Sequence, residues 1–440
     1  MKRFIALCAA GAMLLSLCAC GSGNAGGNAK AETLSAENSV MYPEAIDYND
    51  WESSQANRDE NAVSAGFADA LQLFACRSTE NVIASADKNV CYSPVSLYFA
   101  LALAAYGADG NTAEQLYSAL GVKDKEELAE QCGKLFRLLY TDDGLDSLFL
   151  ANSLWMNKDI TFKDDYLNDA AEDFYASLFS VDFSDASAGE QMSQWVSDNT
   201  SGLLKPKVEV KPEELMHIFN TVYFYSQWQK QFEESATDKD TFTLADGSTV
   251  DCDFMRISDE GSEYTKGVTP WGAGYTVARR ALKSGDMFFI LPDKGVELTD
   301  VLNSATTDLN EPYLKTLLAD TDESSATIKW SIPKFSTDST LDLVSLMQDM
   351  GVKDAFTDSA DFSGISDTPS FISAIAQGTH IKLEETGVEA AAYTEVTMGT
   401  TSVIVDNETI EMNLDRPFIY GVESEDGTLL FVGVCANPAE

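Results

Sequence analysis

Residues 383–395 read Leu383-Glu384-Glu385-Thr386-Gly387-Val388-Glu389-Ala390-Ala391-Ala392-Tyr393-Thr394-Glu395, and the character of their side chains alternates with a period of two. One face of this segment, as an extended chain, carries small or uncharged side chains: Val388, Ala390, Ala392 and Thr394. The other face carries Glu389, Tyr393 and Glu395. Because successive side chains of a strand point to opposite faces, the first set can be buried while the acids stay in water. Residues 396–402 have the small, polar composition of a loop, so we expect a half-buried strand that runs into a loop.

The segment from Glu385 to Ala392 resembles the proximal hinge of the reactive centre loop in the serpin family. The resemblance implies that a target protease cleaves the exposed loop, about 387–415, and that the part before the cut inserts as a new strand into the main sheet. The hinge residues are then Glu385, Gly387, Val388, Glu389, Ala390, Ala391 and Ala392. Taken alone, the segment also fits a plain amphipathic edge strand that ends in a loop, because short motifs match by chance.

Length and composition set broad limits. The chain has 440 residues, of which 45% are hydrophobic, so it can bury a sizeable core and is globular. Its 71 acidic and 29 basic residues give a net charge of −42, which repels a phosphate backbone. We therefore expect no nucleic-acid partner and a well-solvated, monomeric protein.

Residues 1–20 resemble an export signal with a bacterial lipobox. Two bases precede the apolar run 4–17, and Leu17-Cys18-Ala19-Cys20 places Cys20 at the lipidated position. A simple secreted signal cut after Ala19 is the alternative. The location expected from this signal is extracellular or at the cell surface, with contact to the membrane only through the lipid anchor.

The composition changes again near residue 59. Residues 21–58 are rich in Gly, Asn, Ala, Ser and Glu, with few aliphatic side chains, which predicts a flexible tether. Residues 59–440 then form the serpin domain, whose first helix has an apolar stripe that includes Phe67, Leu71 and Phe74.

Five cysteines of that domain are scattered, with no paired or metal-binding spacing: Cys76, Cys91, Cys132, Cys252 and Cys435. Five thiols cannot all pair within one chain. We expect free cysteines that behave as small, mostly buried hydrophobic residues.

A second informative stretch is Asn89-Val90-Cys91-Tyr92-Ser93-Pro94-Val95-Ser96, which precedes an apolar run to Tyr106. Ser93 is suited to cap a buried helix whose first residue is Pro94. Thr112 and Gln115 have the spacing of a capping box for the next helix. The whole pattern resembles the second and third serpin helices, and it implies that Asn89, Ser93 and Ser96 are polar positions of the family's shutter.

Two further positions match the family by resemblance. Asn220 matches the shutter asparagine, and Trp228 matches the tryptophan of the breach, where the loop first enters the sheet. A buried asparagine needs partners, so we expect Asn220 to join Ser93 and Ser96 in a polar cluster. Gln377 stands where the shutter usually has a histidine, and glutamine can also donate and accept.

Similar matches extend in the family's order from about Asn61 to Pro438. The pattern predicts a strand at Ser147 to Lys158, strands within 241–250 around a hairpin turn at 246–247, and helices from Phe162 to Phe179 and from Leu341 to Met350. The resemblance implies that the helix from Phe162 lies across the sheet. The resemblance therefore implies an α+β protein with the serpin fold: three β-sheets, eight to nine helices and an exposed reactive centre loop.

Enzymatic chemistry is poorly supported by the sequence. It contains two histidines, His217 and His380, and lacks a nucleophile elbow, a zinc-binding helix motif and a phosphate-binding loop. We expect no catalytic residue, no metal site and no cofactor.

The expected function is inhibition of serine proteases by the suicide-substrate route that the resemblance implies. The family's spacing places the scissile bond at Thr401-Ser402, with Met398, Thr400 and Val403 as alternatives. No Lys or Arg lies between Lys382 and Arg416, which disfavours trypsin-like targets and favours elastase-like or subtilisin-like ones. The alternative is a non-inhibitory serpin that serves as a surface binding protein.

Overall fold

The computed structural model describes residues 32–33, 40–84, 88–143, 146–302, 312–319, 325–388 and 408–440. The signal region with Cys20 lies outside the described residues. So do the hinge residues from Glu389 to Ala392 and the candidate reactive-bond residues 398–403.

Ten α-helical segments lie within the described ranges. They are α1 (Trp51–Glu60), α2 (Ala65–Ile83), α3 (Pro94–Tyr106), α4 (Gly110–Leu120), α5 (Lys125–Leu139), α6 (Asp164–Glu172), α7 (Ser187–Asp198), α8 (Leu298–Val301), α9 (Tyr313–Ala319) and α10 (Val344–Asp349). Since α8 has only 4 residues, it is a single turn. The other nine agree with the expected number.

Seventeen strands lie in the same ranges. They are β1 (Glu32–Thr33), β2 (Val90–Tyr92), β3 (Thr141–Asp142), β4 (Ser147–Asn157), β5 (Ala176–Val181), β6 (Met216–Gln227), β7 (Thr237–Thr243), β8 (Thr249–Val268), β9 (Gly274–Leu282), β10 (Gly285–Pro292), β11 (Ser325–Pro333), β12 (Phe335–Asp342), β13 (Ala376–Leu383), β14 (Gly387–Val388), β15 (Thr409–Asn413), β16 (Phe418–Glu423) and β17 (Leu429–Cys435).

These strands form two hydrogen-bonded sheets. The 8-stranded sheet has the order β1-β5-β4-β6-β14-β13-β12, with β3 on β4. The 9-stranded sheet has the order β15-β11-β8-β9-β10-β16-β17-β2, with β7 on β8. The long strand β8 pairs with β7 and β11 along its first part and with β9 at its end, so this sheet has two parts. If the two parts of the 9-stranded sheet are counted separately, the described strands form three sheets, as the resemblance implies.

Helix α3 lies in the core between the two sheets, where it packs against β6 and β17. Eleven residues of this 13-residue helix are buried, as expected for a helix that is apolar on all sides. Ser93 is its N-cap, because its hydroxyl accepts a hydrogen bond from the Ser96 amide, and Pro94 opens the first turn. The structure thus confirms the helix and the cap predicted from the sequence.

The capping box predicted for α4 is wrong. Its N-cap is Asp109, and the hydroxyl of Thr112 accepts from the amide of Asp361 instead. The Gln115 side chain accepts from the amides of Lys353 and Asp354. Both side chains therefore bind a distant segment of chain, which local spacing does not reveal.

The helix predicted from Phe162 to Phe179 is also wrong in its second half. Helix α6 ends at Glu172, and Tyr175 has a φ of 54°, which an α-helix does not accommodate. The chain then forms β5, parallel to β4. Helix α7 also packs on this sheet, and its Ala188 and Met192 lie in a small core with residues of β4 and β5.

The helix predicted from Leu341 to Met350 is shorter than expected. Leu341 and Asp342 extend β12, where they pair with Gln377 and Ala376 of β13. Only Val344–Asp349 is helical. Sheet pairing outweighs the local helical pattern at this position.

Part of the predicted tether is ordered. Helix α1 spans Trp51–Glu60, capped by Asp50, and Tyr42 stacks on Phe136 and Tyr140. The sequence did not indicate these contacts, because the segment has few aliphatic residues and its order depends on a few aromatic and capping interactions.

No helix of the described residues is long and apolar enough to cross a membrane. The five cysteines of the domain are buried free thiols.

Candidate functional site around the hinge strand

The hinge segment begins as a two-residue strand wedged between two longer ones. In β14, Gly387 pairs with Gln227, and Val388 pairs with Ser226 on one side and with Leu383 on the other. Within the described residues, β6 and β13 share no ladder except through β14. The start of the hinge therefore already lies between the C-terminal ends of these two strands.

Glycine is required at position 387 because the backbones approach closely. A Cβ built on Gly387 would collide with the carbonyl oxygen of Ser226 and lie 2.7 Å from the Cα of Gln227. Val388, in contrast, carries a side chain that is buried in the core. The structure therefore agrees with the alternation read from the sequence at its first described position.

Trp228, which the resemblance assigns to the breach, is fully buried. Its backbone amide donates to the carbonyl of Thr386 at 3.0 Å, and its indole nitrogen donates to the carbonyl of Glu384 at 3.0 Å. The amide of Phe232 donates to the carbonyl of Glu385 at 3.0 Å. Three successive carbonyls of the turn before β14, which we call the hinge turn (residues 384–386), are thus held by the segment 228–232.

Glu385 adds an ion pair to this turn. Its carboxylate lies 2.7 Å from Lys334 Nζ and accepts a hydrogen bond from the Thr237 hydroxyl at 2.9 Å. Burial raises the pKa of Glu385, but hydrogen bonds, led by the one from Lys334, outweigh burial and leave the pKa lowered. The carboxylate is therefore charged near neutral pH and ties the hinge turn to Lys334, between β11 and β12, and to Thr237 at the start of β7.

Gln377 and Ser93, two residues that the resemblance assigns to the shutter, contact each other through two hydrogen bonds. The Gln377 side chain accepts from the Ser93 amide at 2.9 Å and donates to the Ser93 carbonyl at 2.8 Å. The Ser93 hydroxyl donates to the carbonyl of Leu430 at 2.7 Å. The polar contacts of this cluster are made by groups that do not titrate near neutral pH.

The same strands are tied to β2 one step further along. The Thr379 hydroxyl donates to the carbonyl of Cys91 at 2.7 Å, and the Cys91 amide donates to the Ser339 hydroxyl at 2.8 Å. Together with Gln377, these side chains connect β12 and β13 to the strand and helix beneath them. The sequence analysis missed Thr379 and Ser339, and only the period of two along each strand could have suggested their inward direction.

Asn220 does not join Ser93 and Ser96 by a hydrogen bond, contrary to expectation. Its amide donates to the Asn152 side chain at 2.9 Å, across the β4–β6 ladder, and Asn152 in turn donates to the carbonyl of Phe174. The Asn220 side-chain oxygen is buried without a hydrogen-bond partner in the described residues. The register of β4 and β6, which brings two asparagines face to face, was not visible in the sequence.

Asn89 also lies apart from the Gln377 cluster. Its side chain accepts from the amides of Ala436 and Asn437 and donates to the carbonyl of Asn437. It therefore holds the end of the chain against the start of β2.

Two charged residues beside the breach were missed altogether. Asp146 is buried, and its carboxylate accepts from the amide of Gln227 at 3.3 Å. Burial raises the pKa of Asp146 to about 6, although Ser226 and Lys283 oppose this shift. Arg280 is buried against Trp228. Neither residue belongs to a short motif, so the sequence held no signal for them.

Neither histidine forms a catalytic pair within the described residues. His217 Nε2 lies 3.0 Å from Glu214, and His380 Nδ1 lies 2.7 Å from Asp338. Neither ring is hydrogen-bonded to a described hydroxyl or thiol. What the described site holds is backbone, since β14 pairs with β6 on one side and with β13 on the other.

A sequence model of the family described as Serpin (serine protease inhibitor) matches residues 69–438. The chain belongs to the serpin family. An uncharacterized serpin-like protein of Thermococcus kodakarensis is 29% identical over 366 residues, which is 81% of this chain and 83% of that protein. Serpin-Z2A of Triticum aestivum is 28% identical over 375 residues, which is 80% of this chain and 91% of that protein.

Solved serpin structures share the fold. The native-state crystal structure of the thermophilic serpin tengpin covers 93% of this chain and 100% of that chain, with a TM-score of 0.74 at 24% identity. Human thyroxine-binding globulin, complexed with thyroxine, covers 84% of this chain and 100% of that chain, with a TM-score of 0.71 at 23% identity. The predicted α+β serpin fold is confirmed.

Proposed function

We propose that this serpin inhibits serine proteases as a suicide substrate. In this mechanism a protease cleaves the loop and stays attached as an acyl-enzyme, and the segment before the cut enters the sheet between β6 and β13. The observation that carries the proposal is the position of β14, which pairs with both of these strands at their ends. Insertion then extends a ladder that has already started.

The register of β14 indicates where the following residues would lie after cleavage. Two residues beyond Val388, Ala390 falls opposite Phe224 and Ile381, which are both buried. Further along the same register, Ala392 falls opposite Thr379, and Thr394 falls opposite Gln377 and Asn220. The small face of the segment therefore meets the inward face of the sheet.

The small residues of this face also favour inhibition over a purely binding role. A bulky or charged side chain at these positions would be buried on insertion, at a cost in free energy. Ala390 and Ala392 carry no such cost. A non-inhibitory surface binding protein has no need of a face that fits the sheet.

The test is incubation of the purified protein with a panel of serine proteases, followed by a denaturing gel. We expect a covalent complex with at least one elastase-like or subtilisin-like enzyme. Cleavage of the loop by a protease that is not trapped should raise the melting temperature, since insertion releases stored strain, an effect for which serpins are a known example. Cleaved protein that neither forms a complex nor gains stability would support the non-inhibitory alternative.

We also propose that the protein is a lipoprotein of the cell surface. Cys20 would carry the lipid, and the segment up to residue 58 would separate the lipid from the domain. Labelling of cells with a tagged fatty acid tests this directly. The parent protein should be labelled and fractionate with membranes, whereas Cys20→Ser should be unlabelled.

A further inference from the structure

The guanidinium of Arg280 lies over two aromatic rings of the segment 228–232. Its central carbon is 4.6 Å from the ring centroid of Trp228 and 4.2 Å from that of Phe232. The two rings are themselves 5.8 Å apart and nearly perpendicular, at 78°. A cation over aromatic faces in a site without water is attracted more strongly than at a surface.

The donors of the same guanidinium fix its orientation. Arg280 Nε donates to Asp259 at 2.9 Å, and Nη2 donates to the carbonyl of Lys230 at 2.6 Å. The side chain is only 3% exposed. Burial lowers the pKa of Arg280 while Asp259 opposes that shift, and arginine stays charged in proteins.

Arg280 thus contacts the segment 228–232 at its first, third and last residues. This is the segment that holds the hinge turn, through the amides of Trp228 and Phe232 and the indole of Trp228. Strand β9 makes one further hydrogen bond to this segment, because the amide of Gln229 donates to the carbonyl of Ala281. One buried cation therefore contacts three of the five residues of the segment whose two ends bind the hinge turn.

We propose that Arg280 is a positioning residue for the hinge. It holds the segment 228–232 in the conformation that docks the hinge turn, and so keeps β14 between β6 and β13. Its effect on inhibition rests on the proposed function, because a hinge held at the entrance lets insertion start before the acyl-enzyme is hydrolysed. Its effect on the hinge turn does not depend on that function.

Arg279 provides a matched control on the same strand. It donates to Glu423 and to the carbonyl of Leu318, on the opposite face of β9 from Arg280. Removal of either arginine takes away one cation and its hydrogen bonds, from a buried position at Arg280 and from a half-buried one at Arg279. Only Arg280 contacts the segment that binds the hinge turn.

The experiment is hydrogen exchange, resolved to single amides, on the uncleaved protein. In Arg280→Met, which keeps an unbranched apolar stem but removes the guanidinium, the amides of Trp228 and Phe232 should exchange roughly tenfold faster, a factor typical of one cation–π or charge-assisted contact. In Arg279→Met these two amides should exchange as in the parent. Amides around Leu154, in the β4–β6 ladder, report global opening in every variant.

Unchanged exchange at Trp228 and Phe232 in Arg280→Met, or an equal increase in Arg279→Met, would overturn the proposal. If Arg280→Met does not fold, Arg280→Lys decides, because lysine keeps the charge but lacks the rigid planar fork that donates to both Asp259 and the Lys230 carbonyl. Faster exchange confined to the two amides supports the role, and parent-like exchange refutes it.

A second measurement separates this inference from the proposed function. With a protease that the parent traps, Arg280→Met should shift the products from complex towards cleaved protein, whereas Arg279→Met should not. If the parent traps no protease, the proposed function fails, while the exchange measurement still supports or refutes the role of Arg280.

Discussion

Gln377 and Ser93, 284 residues apart in the chain, are joined by two hydrogen bonds between one side-chain amide and one backbone unit. The glutamine amide binds Ser93 as a neighbouring strand would, with one donor and one acceptor. Through this contact β13, a border of the proposed insertion site, is attached to the start of the core helix α3. The same contact gives the amide and the carbonyl of Ser93 hydrogen-bond partners, although position 377 is not a histidine.

Removal of this side chain should therefore be costly. Gln377→Leu leaves the amide of Ser93 buried without a partner, at roughly 1–3 kcal/mol, whereas the Ser93 carbonyl still accepts from the Leu97 amide at 3.3 Å. We therefore expect a loss of about 1–3 kcal/mol in the free energy of unfolding. Denaturant unfolding measures this loss. The matched control is Gln348→Leu on α10, where the side chain is exposed and the change should be within about 0.5 kcal/mol. Equal stability of the two variants would contradict the role of the contact.

The sequence predicted the capping role of Ser93 but not its hydrogen bonds to Gln377. A serine before Pro94 is a local cap signal, and the cap was predicted correctly. The partner Gln377 was identified only as a departure from the family's usual histidine, because a contact across 284 residues depends on how sheets stack. In the same way, Thr112 and Gln115 fit a local capping box, and tertiary contacts took both side chains instead.

Strand register was the other feature beyond the sequence. The period of two from Val388 onwards predicted a buried face, and Val388 is buried. Which residues it meets depends on the pairing with Ser226 and Leu383, and no local pattern specifies this. The contact between Asn220 and Asn152 likewise depends on the register of β4 and β6. Arg280 and Asp146 lie beside Trp228 and Gln227 because of contacts between segments that are distant in the sequence.

Asp146 should make stability depend on pH. Burial raises its pKa from the ordinary 3.8 to about 6 in the folded protein, so its contribution is full below pH 3.8, is still mostly present at pH 4, and is lost as the pH rises through 6. Asp146→Asn keeps an acceptor for the Gln227 amide but removes the buried charge. We expect the variant to match the parent at pH 4 and to be more stable at pH 8 by up to roughly 3 kcal/mol.

The measurement is denaturant unfolding at both pH values, read as the difference between variant and parent, so that all other titrating groups cancel. Asp358→Asn, at an exposed position, serves as the control and should follow the parent. A constant difference between Asp146→Asn and the parent from pH 4 to pH 8 would show that the carboxyl does not titrate in this range.

Insertion should be sensitive to which face of the hinge carries a charge. Ala390→Glu places a carboxylate opposite Phe224 and Ile381, at a cost on the order of several kcal/mol, which should slow insertion below deacylation. Cleaved protein should then replace the covalent complex. Ala391→Glu adds the same charge one residue along, on the face that carries Glu389, and should keep most of the complex. Similar complex yields in the two variants would contradict the register.

The choice of protease should follow from the residue before the scissile bond. A trypsin-like pocket holds a buried carboxylate that needs a cationic side chain, and no Lys or Arg lies between Lys382 and Arg416. The parent should therefore trap elastase-like or subtilisin-like enzymes and not trypsin, with the cut expected after Thr401.

Thr401→Arg should create an inhibitor of trypsin, whereas Thr400→Arg should give mainly cleaved product, because the cut is moved by one residue. Mass spectrometry of the released C-terminal fragment locates the bond in each case. Rapid, stoichiometric trapping of trypsin by the parent would contradict the assignment, and a fragment that begins at residue 401 would move the bond to Thr400.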